Sequence, residues 1–390
     1  MIVGKRAWAR VAWLACLCSS CGSPPGAKHP VSAGQPSTDA SNTASADQPG
    51  TGCGCVSPHV GPKAIAAGDN HTCALTPTGG VKCWGSNDSG QLGDGTKEKR
   101  LVATQVSGIS SGVVAVSAGL QHSCALKSHG GVLCWGKLGD LEELTPTPVR
   151  GLESGVVAIS SGRFLACVLM SAGEVRCWGD NDRLQQGRDG TDPNVPSMVP
   201  LPLGGAIALS TGRHGACAIL ATSGVECWGQ LRAIPELVSG PRGASKNSAD
   251  LVVVSTNGYD ETCAITLAGG LKCGKTEFLD LSPVEELASD VVSVSRGFRH
   301  ACAIKLGGAL FCWGRNDYGE VGDGTAETRE RPTPVAGLAN GVVAVSLGMQ
   351  HTCAMASDGK VWCWGDNRKG ELGGCEDPFS LVPQPVRGFP

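Results

Sequence analysis

The sequence predicts an all-β fold, a seven-bladed β-propeller of repeats about 40–50 residues long with four-stranded blades. Three observations predict it. Seven pairs of cysteines recur, and the two members of every pair are ten residues apart. A glycine precedes each pair at a fixed distance, and six of the seven copies continue as Cys-Trp-Gly. Short β-branched runs alternate with Gly- and Pro-rich turns, without helical periodicity.

The cysteine pairs also predict the bonding within each repeat. Residues facing each other in a non-hydrogen-bonded antiparallel pair have Cα atoms about 4.5 Å apart, at the short end of the disulfide range. A metal site is disfavoured, because these pairs lie on separate blades and a thiolate site needs four converging ligands. We expect one disulfide per blade, worth about 2.8 kcal/mol by loop entropy. The predicted bonds join Cys73 to Cys83, Cys124 to Cys134, Cys167 to Cys177, Cys217 to Cys227, Cys263 to Cys273, Cys302 to Cys312 and Cys353 to Cys363.

Strands can be assigned within one copy. In the second copy we predict strands at 113–117, 123–126 and 132–135, followed by a Pro-bounded final strand at 148–152. Two further positions recur with the cysteines. A histidine stands two residues before the first cysteine in four copies, as His71, His122, His300 and His351. Ligand or base chemistry is one interpretation, but recurrence in blade after blade favours a repeated structural hydrogen bond. A glycine stands five residues before each first cysteine: Gly68, Gly119, Gly162, Gly212, Gly258, Gly297 and Gly348.

These units resemble the repeats of the regulator of chromosome condensation family. The segments 90–96 (Gly-Gln-Leu-Gly-Asp-Gly-Thr) and 319–325 (Gly-Glu-Val-Gly-Asp-Gly-Thr) match its most diagnostic stretch, which is eroded in copies two, four and five. The resemblance covers about residues 62–390 and implies a seven-bladed propeller. The chromatin-bound member of the family exchanges guanine nucleotides on a GTPase, an activity that an exported chain would not exercise. Secreted bacterial relatives of this fold include an inhibitor of β-lactamases, which is a protein-binding role.

The N-terminus predicts export. Residues 1–20 carry a basic segment and a short apolar stretch, as in a signal peptide. Small residues ahead of Cys21, with Gly-Ser after it, resemble a bacterial lipoprotein cleavage box, which predicts a lipid on Cys21. Cys16 and an ordinary signal-peptidase cut remain alternatives. Residues 21–62 form a predicted flexible Ser/Ala/Pro/Gly-rich tether, and residues 63–390 the propeller. We expect the bacterial cell envelope, at the outer membrane or cell surface, or secretion if no lipid is added.

Three cysteines remain outside the pairs. Cys375 lies in the last copy, and Cys53 and Cys55 come just before the first. The first and last copies are neighbours in a ring, so a bond from Cys375 to one of them would lock its closure.

The candidate binding positions are those that differ between copies. Two residues separate the recurring glycine from the histidine position, and the repeat places them all in equivalent turns on one face of the disc. They include three aromatics, three arginines and a methionine, types enriched in protein interfaces, whereas unconstrained turns favour Ser, Asn, Asp and Gly. The predicted partner-binding residues are Asp69, Asn70, Leu120, Gln121, Arg163, Phe164, Arg213, His214, Tyr259, Asp260, Phe298, Arg299, Met349 and Gln350.

The function that follows is binding. We expect a monomeric, exported module, anchored to the membrane through a lipid, that binds a protein or glycan on this face. A sharper form of the hypothesis has it block a secreted hydrolase. No enzyme, cofactor or metal is predicted, because no nucleophile or metal-ligand motif is present. The formal charge of −3 without a basic patch argues against nucleic acid. The alternatives are a hydrolase or lyase with its site in the channel, and a purely structural envelope protein.

Overall fold

A computed structural model describes residues 64–187, 192–199, 205–221, 224–229, 232–237, 250–257, 261–275, 281–374 and 376–389. They form seven four-stranded antiparallel sheets and one short 3-10 helix, Glu285–Leu287. The predicted all-β class and the seven blades are therefore confirmed. The proposed signal peptide and tether, with Cys16, Cys21, Cys53 and Cys55, lie outside the described residues, as does Cys375.

Each sheet follows chain order, so every blade is a meander of four consecutive strands. Blade 1 holds β1 (Ile65–Ala67), β2 (His71–Leu75), β3 (Val81–Gly85) and β4 (Arg100–Gln105), and blade 2 holds β5 (Val113–Ala118), β6 (His122–Lys127), β7 (Val132–Leu138) and β8 (Leu141–Pro148). Blade 3 holds β9 (Val156–Ser161), β10 (Leu165–Met170), β11 (Val175–Gly179) and β12 (Ser197–Met198), and blade 4 holds β13 (Ala206–Thr211), β14 (Gly215–Leu220), β15 (Val225–Gly229) and β16 (Arg232–Leu237). Blade 5 holds β17 (Leu251–Thr256), β18 (Glu261–Thr266), β19 (Leu271–Lys275) and β20 (Ser282–Pro283), and blade 6 holds β21 (Val291–Arg296), β22 (His300–Lys305), β23 (Leu310–Gly314) and β24 (Arg329–Pro334). Blade 7 holds β25 (Val342–Leu347), β26 (His351–Ala356), β27 (Val361–Asp366) and β28 (Phe379–Pro385).

The blades close into a ring through their first strands. Each first strand contacts the first strand of the next blade, and β25 of blade 7 contacts β1 of blade 1. The first strands therefore surround a central channel, and the fourth strands lie outermost. The core is divided in the same way, into seven apolar clusters that each combine residues of two neighbouring blades. A sheet of this kind buries its faces only against its neighbours.

The tryptophans of the Cys-Trp-Gly triplets join one blade to the next. The indole N–H of Trp135 in blade 2 donates to the carbonyl of Gln91 in blade 1, at 2.9 Å. A Cβ on Gly93 would lie 2.7 Å from that indole ring, so only glycine fits there. In the same way, the indole N–H of Trp364 donates to the backbone carbonyl of Glu320, and that of Trp84 donates to the backbone carbonyl of Glu371. The segment that carries the family resemblance is thus the receptor for the next blade's tryptophan.

A disulfide joins the second and third strands in every blade, at the seven pairs predicted. The two cysteines are direct cross-strand partners, as in Cys124↔Cys134, and their Cα atoms lie 4.1 Å apart in that pair. Disulfides in this number indicate an extracellular or exported protein. The bonds join Cys73 to Cys83, Cys124 to Cys134, Cys167 to Cys177, Cys217 to Cys227, Cys263 to Cys273, Cys302 to Cys312 and Cys353 to Cys363.

One strand prediction was wrong. The outer strand of blade 2 ends at Pro148, where the sequence analysis had it begin. Val149 donates its N–H to the carbonyl of Val132, and the Val132 N–H donates to the carbonyl of Leu152. Between them Gly151 has φ +80°, a left-handed conformation that turns the chain toward blade 3. The proline marks the end of a strand because it cannot donate to a continued ladder.

The recurring histidines link neighbouring blades, as the structural interpretation predicts. His71 of blade 1 contacts the Ser123 hydroxyl of blade 2 through its Nε2 atom, at 2.8 Å. The same bond joins His300 to Thr352 at 2.9 Å and His351 to Thr72 at 3.0 Å. The last of these joins blade 7 to blade 1, where the ring closes. The Ala67 N–H, which donates to the Ser346 hydroxyl at 2.9 Å, supports the same junction.

The fourth histidine lacks this bond. His122 is buried, and both its ring nitrogens are without a hydrogen-bond partner. In the next blade, Ala166 stands at the position that Ser123 occupies opposite His71. We therefore expect Ala166→Ser to stabilise the protein by about 1 kcal/mol, by supplying the missing hydroxyl. Thermal unfolding measures the change.

Ala216→Ser is the matched control. It introduces the same hydroxyl one blade further on, where the preceding blade offers Leu165 instead of an imidazole. That variant should be destabilised, because it buries a hydroxyl without this partner. Equal effects of the two substitutions would contradict the histidine bond.

The buried imidazoles also predict acid sensitivity. Burial is the main cause that lowers the pKa of His71 and His300 to about 3, and of His122 and His351 to about 4. In the unfolded chain a histidine has a pKa of about 6.5, so the unfolded state binds more protons below that pH. Stability should be complete above about pH 6.5 and should fall as the pH drops toward 4. A melting temperature that stays constant between pH 7 and 5, above the range of ordinary carboxylates, would refute this.

Candidate binding site at the mouth of the channel

The turns between first and second strands meet around one end of the channel. A single cavity there is lined by one such turn from every blade. Five of the predicted partner-binding residues line it: Asp69, Arg163, Arg213, Phe298 and Met349. The other described ones, Asn70, Leu120, Gln121, Phe164, His214, Arg299 and Gln350, belong to the same turns without lining it. We call this end of the channel the mouth. Tyr259 and Asp260 lie outside the described residues.

The recurring glycines set the width of the mouth. A Cβ on Gly162 would lie 2.0 Å from the carbonyl oxygen of Gly212 in the next blade, and one on Gly119 would lie 2.4 Å from that of Gly162. Backbone hydrogen bonds cross the same short distance between neighbouring blades. The N–H of Asp69 donates to the carbonyl of Gly119 at 3.0 Å, and the N–H of Arg163 donates to the carbonyl of Gly212 at 3.3 Å. The turns are thus held backbone to backbone, and their side chains are left to differ.

The fifth blade departs from the predicted register. The repeat spacing predicts that Gly258 belongs to the ring of recurring glycines around the mouth, which we call the glycine ring, but Asn257 occupies that place. Its carbonyl accepts the N–H of Arg213 at 2.6 Å, and its own N–H donates to Glu261 at 3.3 Å. Three residues, 258–260, therefore separate the ring position from the second strand, where the other turns have two. The asparagine side chain also caps the turn, since its Oδ1 accepts the Glu261 N–H at 3.2 Å.

Arginines stack on aromatic rings across blades 3 and 4. The guanidinium of Arg163 lies over the ring of Phe164, 5.2 Å from its centroid. On the next blade, His214 stacks on the same Phe164 ring with centroids 5.8 Å apart. Arg213 donates from Nε to the Nε2 atom of His214 at 3.1 Å. These four side chains hold one another in place while remaining only partly buried.

A second set continues around the mouth on blades 6 and 7. Phe298 lies close to two guanidinium groups, Arg213 at 5.1 Å and Arg299 at 5.2 Å from the ring centroid. Further out, Arg368 lies 4.7 Å from the centroid of Tyr318 and donates to the Gln350 side chain. The stacks therefore lie on blades 3, 4, 6 and 7, and we call them the arginine–aromatic belt. Its members are Arg163, Phe164, Arg213, His214, Phe298, Arg299, Tyr318 and Arg368.

Charges at the mouth are partly compensated. Asp69 lies 3.3 Å from the Nε atom of Arg163. Burial raises the pKa of the Asp69 carboxyl, against the opposing effect of Arg163 and Arg213. Burial, assisted by Arg213, Arg183 and Arg163, lowers the pKa of His214 to about 4. The imidazole is therefore neutral at physiological pH, as its role as acceptor for Arg213 requires.

Three residues of the site escaped the sequence analysis. Arg296 lines the cavity and donates to Glu261, which occupies the histidine position of blade 5. The other copies have small or aliphatic residues there, such as Ala67 and Leu347, so comparing repeats at this position would have found it. Tyr318 and Arg368 come from the loops between third and fourth strands, six residues after Cys312 and five after Cys363. Copies one, six and seven share a register there, so comparing them at these positions would have shown that both residues vary.

The alternative of a channel enzyme gains little from this geometry. The cavity measures about 100 Å³, whereas pockets for small molecules usually measure about 300–1,000 Å³. Among the described residues that line it, Asp69 is the only acid, so no carboxylate pair forms there. In the part of the chain that the structure describes, no group of three or more His, Cys, Asp or Glu side chains could hold a metal. No helix of that part is long and apolar enough to cross a membrane.

Known protein families contain the same repeat. Two models of the regulator of chromosome condensation repeat match, one at residues 63–91, 156–185, 291–320 and 342–371, the other at 78–126 and 307–355. Repeats of the regulator of chromosome condensation family are therefore present in several copies along the chain. Propellers of this family are generally protein-binding modules, and the repeats are not in themselves enzymatic.

Several known proteins are similar to this chain in sequence or in fold. It is 31% identical over 335 residues to the X-linked retinitis pigmentosa GTPase regulator homolog of Caenorhabditis elegans, which covers 80% of this chain and 24% of that protein. It is 42% identical over 65 residues to the protein RCC2 homolog of Danio rerio, covering 16% and 13%. The matches thus span less than a quarter of either relative's length. The crystal structure of human WBSCR16 shares the fold, with a TM-score of 0.64 at 19% identity, over 78% of this chain and 94% of that one.

The glycine ring yields a test. Gly162→Ala should destabilise the protein by about 2–3 kcal/mol, because its Cβ would overlap the Gly212 carbonyl. Gly108→Ala is the matched control, since nothing lies within 4 Å of its Cβ and only its φ of +71° opposes the substitution, at about 1 kcal/mol. Thermal unfolding compares them. A smaller loss at Gly162 than at Gly108 would show that the glycine ring is not closely packed.

Proposed function

We propose that the chain is an exported, lipid-anchored binding module that captures a protein partner on the mouth of its propeller. The observation that carries the proposal is the arginine–aromatic belt. Arginine and aromatic side chains dominate the energetic centres of protein interfaces, because each buries a large surface and can also bond. Side chains already stacked on one another lose less conformational freedom when a partner binds, which favours affinity.

The belt indicates the chemistry of the partner. A guanidinium that stacks on a ring by its face can also pair with a carboxylate through its edge, as Arg163 does toward Asp69 and Arg368 toward Asp366 at this mouth. The ring of Phe298, with arginines at two sides, offers an apolar surface bordered by positive charge. A protein loop that combines an acidic side chain with apolar ones would complement it. The partner would lie across the mouth, since the cavity itself is too small to enclose a protein segment of ordinary size.

A secreted hydrolase is the sharper candidate. A rigid disc that covers the rim of an active-site cleft would exclude the substrate without entering the cleft deeply. The disulfides and the backbone bonds between turns keep such a face rigid. A glycan is the other partner class, because sugar rings also pack on aromatic faces, and the experiment distinguishes the two.

The anchor rests on the N-terminal sequence. A lipid on Cys21, or on Cys16, would hold the chain at the bacterial envelope, and residues 22–62 would give the disc freedom to reach partners. The disulfides agree with export.

Loss of the belt should abolish capture. The double variant Phe164→Ala, Phe298→Ala should recover at least about tenfold less partner than the parent chain from envelope and culture-medium proteins, since truncation of a central aromatic costs about 2 kcal/mol or more in binding. Quantitative mass spectrometry of the bound proteins, and a glycan array, provide the measurement. The melting temperature should stay close to that of the parent chain, because both rings are only partly buried.

The matched control is Val102→Ala, Leu141→Ala. It removes two exposed apolar side chains from the outer strands of blades 1 and 2, which contribute no residue to the arginine–aromatic belt. Recovery of the same proteins in the same amounts by all three forms would refute the mouth as the binding face. Binding to glycans alone would replace the protein partner with a carbohydrate.

A further inference from the structure

The far end of the channel, opposite the mouth, carries a ring of exposed aliphatic side chains. In each of blades 2 to 7, pairing of the first strand with the second skips one residue near the start of the first strand. In blade 2, Val113 pairs with Lys127 and Ala115 with Leu126, which leaves Val114 bulged. The same bulge recurs at Val157, Ile207, Val252, Val292 and Val343.

Five of these bulged residues are exposed, although all are aliphatic. The exposed fractions are 39% for Val114, 55% for Val157, 49% for Ile207, 47% for Val292 and 55% for Val343. We call these five residues the apolar rim. Strand propensity alone would admit threonine at an exposed position equally well. None of the six bulged positions carries a polar residue, so the rim has the composition of a contact surface.

The rim is part of a larger apolar end. The turns between second and third strands open on the same side, and Leu267 and Leu306 in two of them are 51% and 66% exposed. Seven of the twelve large apolar side chains that are exposed among the described residues therefore lie at this end. Such clustering marks an interaction surface, whereas apolar residues scattered singly do not.

The chain enters the propeller at this same end. The first strand, Ile65–Ala67, runs toward the mouth, where it meets Gly68 and the turn to His71. Its beginning, with Ala64 before it, therefore lies beside the apolar rim. Any lipid attached at Cys21 would be joined to the disc here and not at the mouth.

We propose that the apolar rim rests on the lipid surface to which the N-terminus is anchored, so that the mouth faces away from the membrane. This inference rests on the anchoring part of the proposed function. About 40 residues of flexible chain have a root-mean-square reach of about 35 Å. The anchor therefore keeps the rim close to the bilayer, and the effective concentration of the rim at the lipid surface is high. Even weak insertion of aliphatic side chains into the headgroup region then suffices to orient the disc.

Lipid-phase photolabelling tests the orientation. The full lipidated chain is placed in vesicles of phosphatidylethanolamine and phosphatidylglycerol that contain a lipid with a carbene-forming acyl chain, and labelled residues are located by mass spectrometry. The label should be at least about tenfold higher on the apolar rim than on the mouth residues Phe164 and Phe298, because carbenes react only with what the acyl region touches. The N-terminal peptide, measured in the same map, reports whether the lipid is attached.

Variants separate contact from structure. Val114→Thr, Val157→Thr, Val292→Thr and Val343→Thr together keep the β-branched shape and remove the apolar surface, so labelling there should fall about tenfold while the melting temperature is retained. The matched control Leu101→Thr, Val102→Thr changes exposed residues of the outer strand β4 and should leave labelling unchanged.

Three results would overturn the inference. Equal labelling of rim and mouth would mean that the disc is not oriented, and unchanged labelling of the rim variant would mean that its side chains do not meet lipid. A doubled mass in detergent, with the rim protected, would assign this surface to a second copy of the chain. An N-terminal peptide without lipid would refute the anchor, whereas capture by the mouth, measured separately, would still report on partner binding.

Discussion

The close approach of neighbouring backbones around the channel is the constraint on which the rest of the structure depends. Glycine is required where a Cβ would meet the next blade's carbonyl, as at Gly162 and Gly119. The resulting N–H to carbonyl bonds fix each turn to its neighbour. Because the backbone does this work, the two following side chains carry no structural duty and are free to form the arginine–aromatic belt. The backbone contact between neighbouring turns thus makes the mouth rigid and also allows its side chains to differ from blade to blade.

Neighbouring copies also constrain each other in sequence. In copies one, six and seven, which retain the Gly-Gln-Leu-Gly type of segment, the next blade's tryptophan donates to it and packs on its second glycine, as Trp135 does on Gly93. In copy three, where Leu184 stands at the first glycine, Trp228 packs near Gly187 but its indole N–H has no hydrogen-bond partner. The segment is eroded in the fourth copy, and the fifth copy, which would provide the matching tryptophan, has Gly274 instead. Blades 3 and 6 keep Trp178 and Trp313 although the segments of copies two and five before them are eroded as well, so the indole does not depend on the segment alone. The histidine bonds do depend on the neighbouring copy, since His122 has no hydrogen-bond partner where Ala166 stands in place of a hydroxyl residue.

Sequence patterns predicted most of the scaffold because the repeat encodes contacts between identical registers. The blades, the cysteine pairs and the gathering of variable turns at one end all follow from positions that recur at fixed spacing. One miss depends on a length difference between copies. Asn257 stands in the place expected for Gly258 because the turn of blade 5 is one residue longer, and spacing counted back from Cys263 cannot reveal that. Tyr318 and Arg368 keep a register with the other copies, but they belong to a different loop from the turns taken as the binding face, and only the folded chain brings the two loops together. The outer strand of blade 2 was misplaced because proline was taken to begin the strand that it ends.

The longer turn of blade 5 has a consequence for recognition. A ring of seven equal turns would offer a partner seven equivalent rotational poses, and binding would be degenerate. One turn with an additional residue, together with stacks on blades 3, 4, 6 and 7, makes the seven rotational positions around the propeller axis different from one another. A partner bound there can therefore be held in one rotational orientation about the propeller axis.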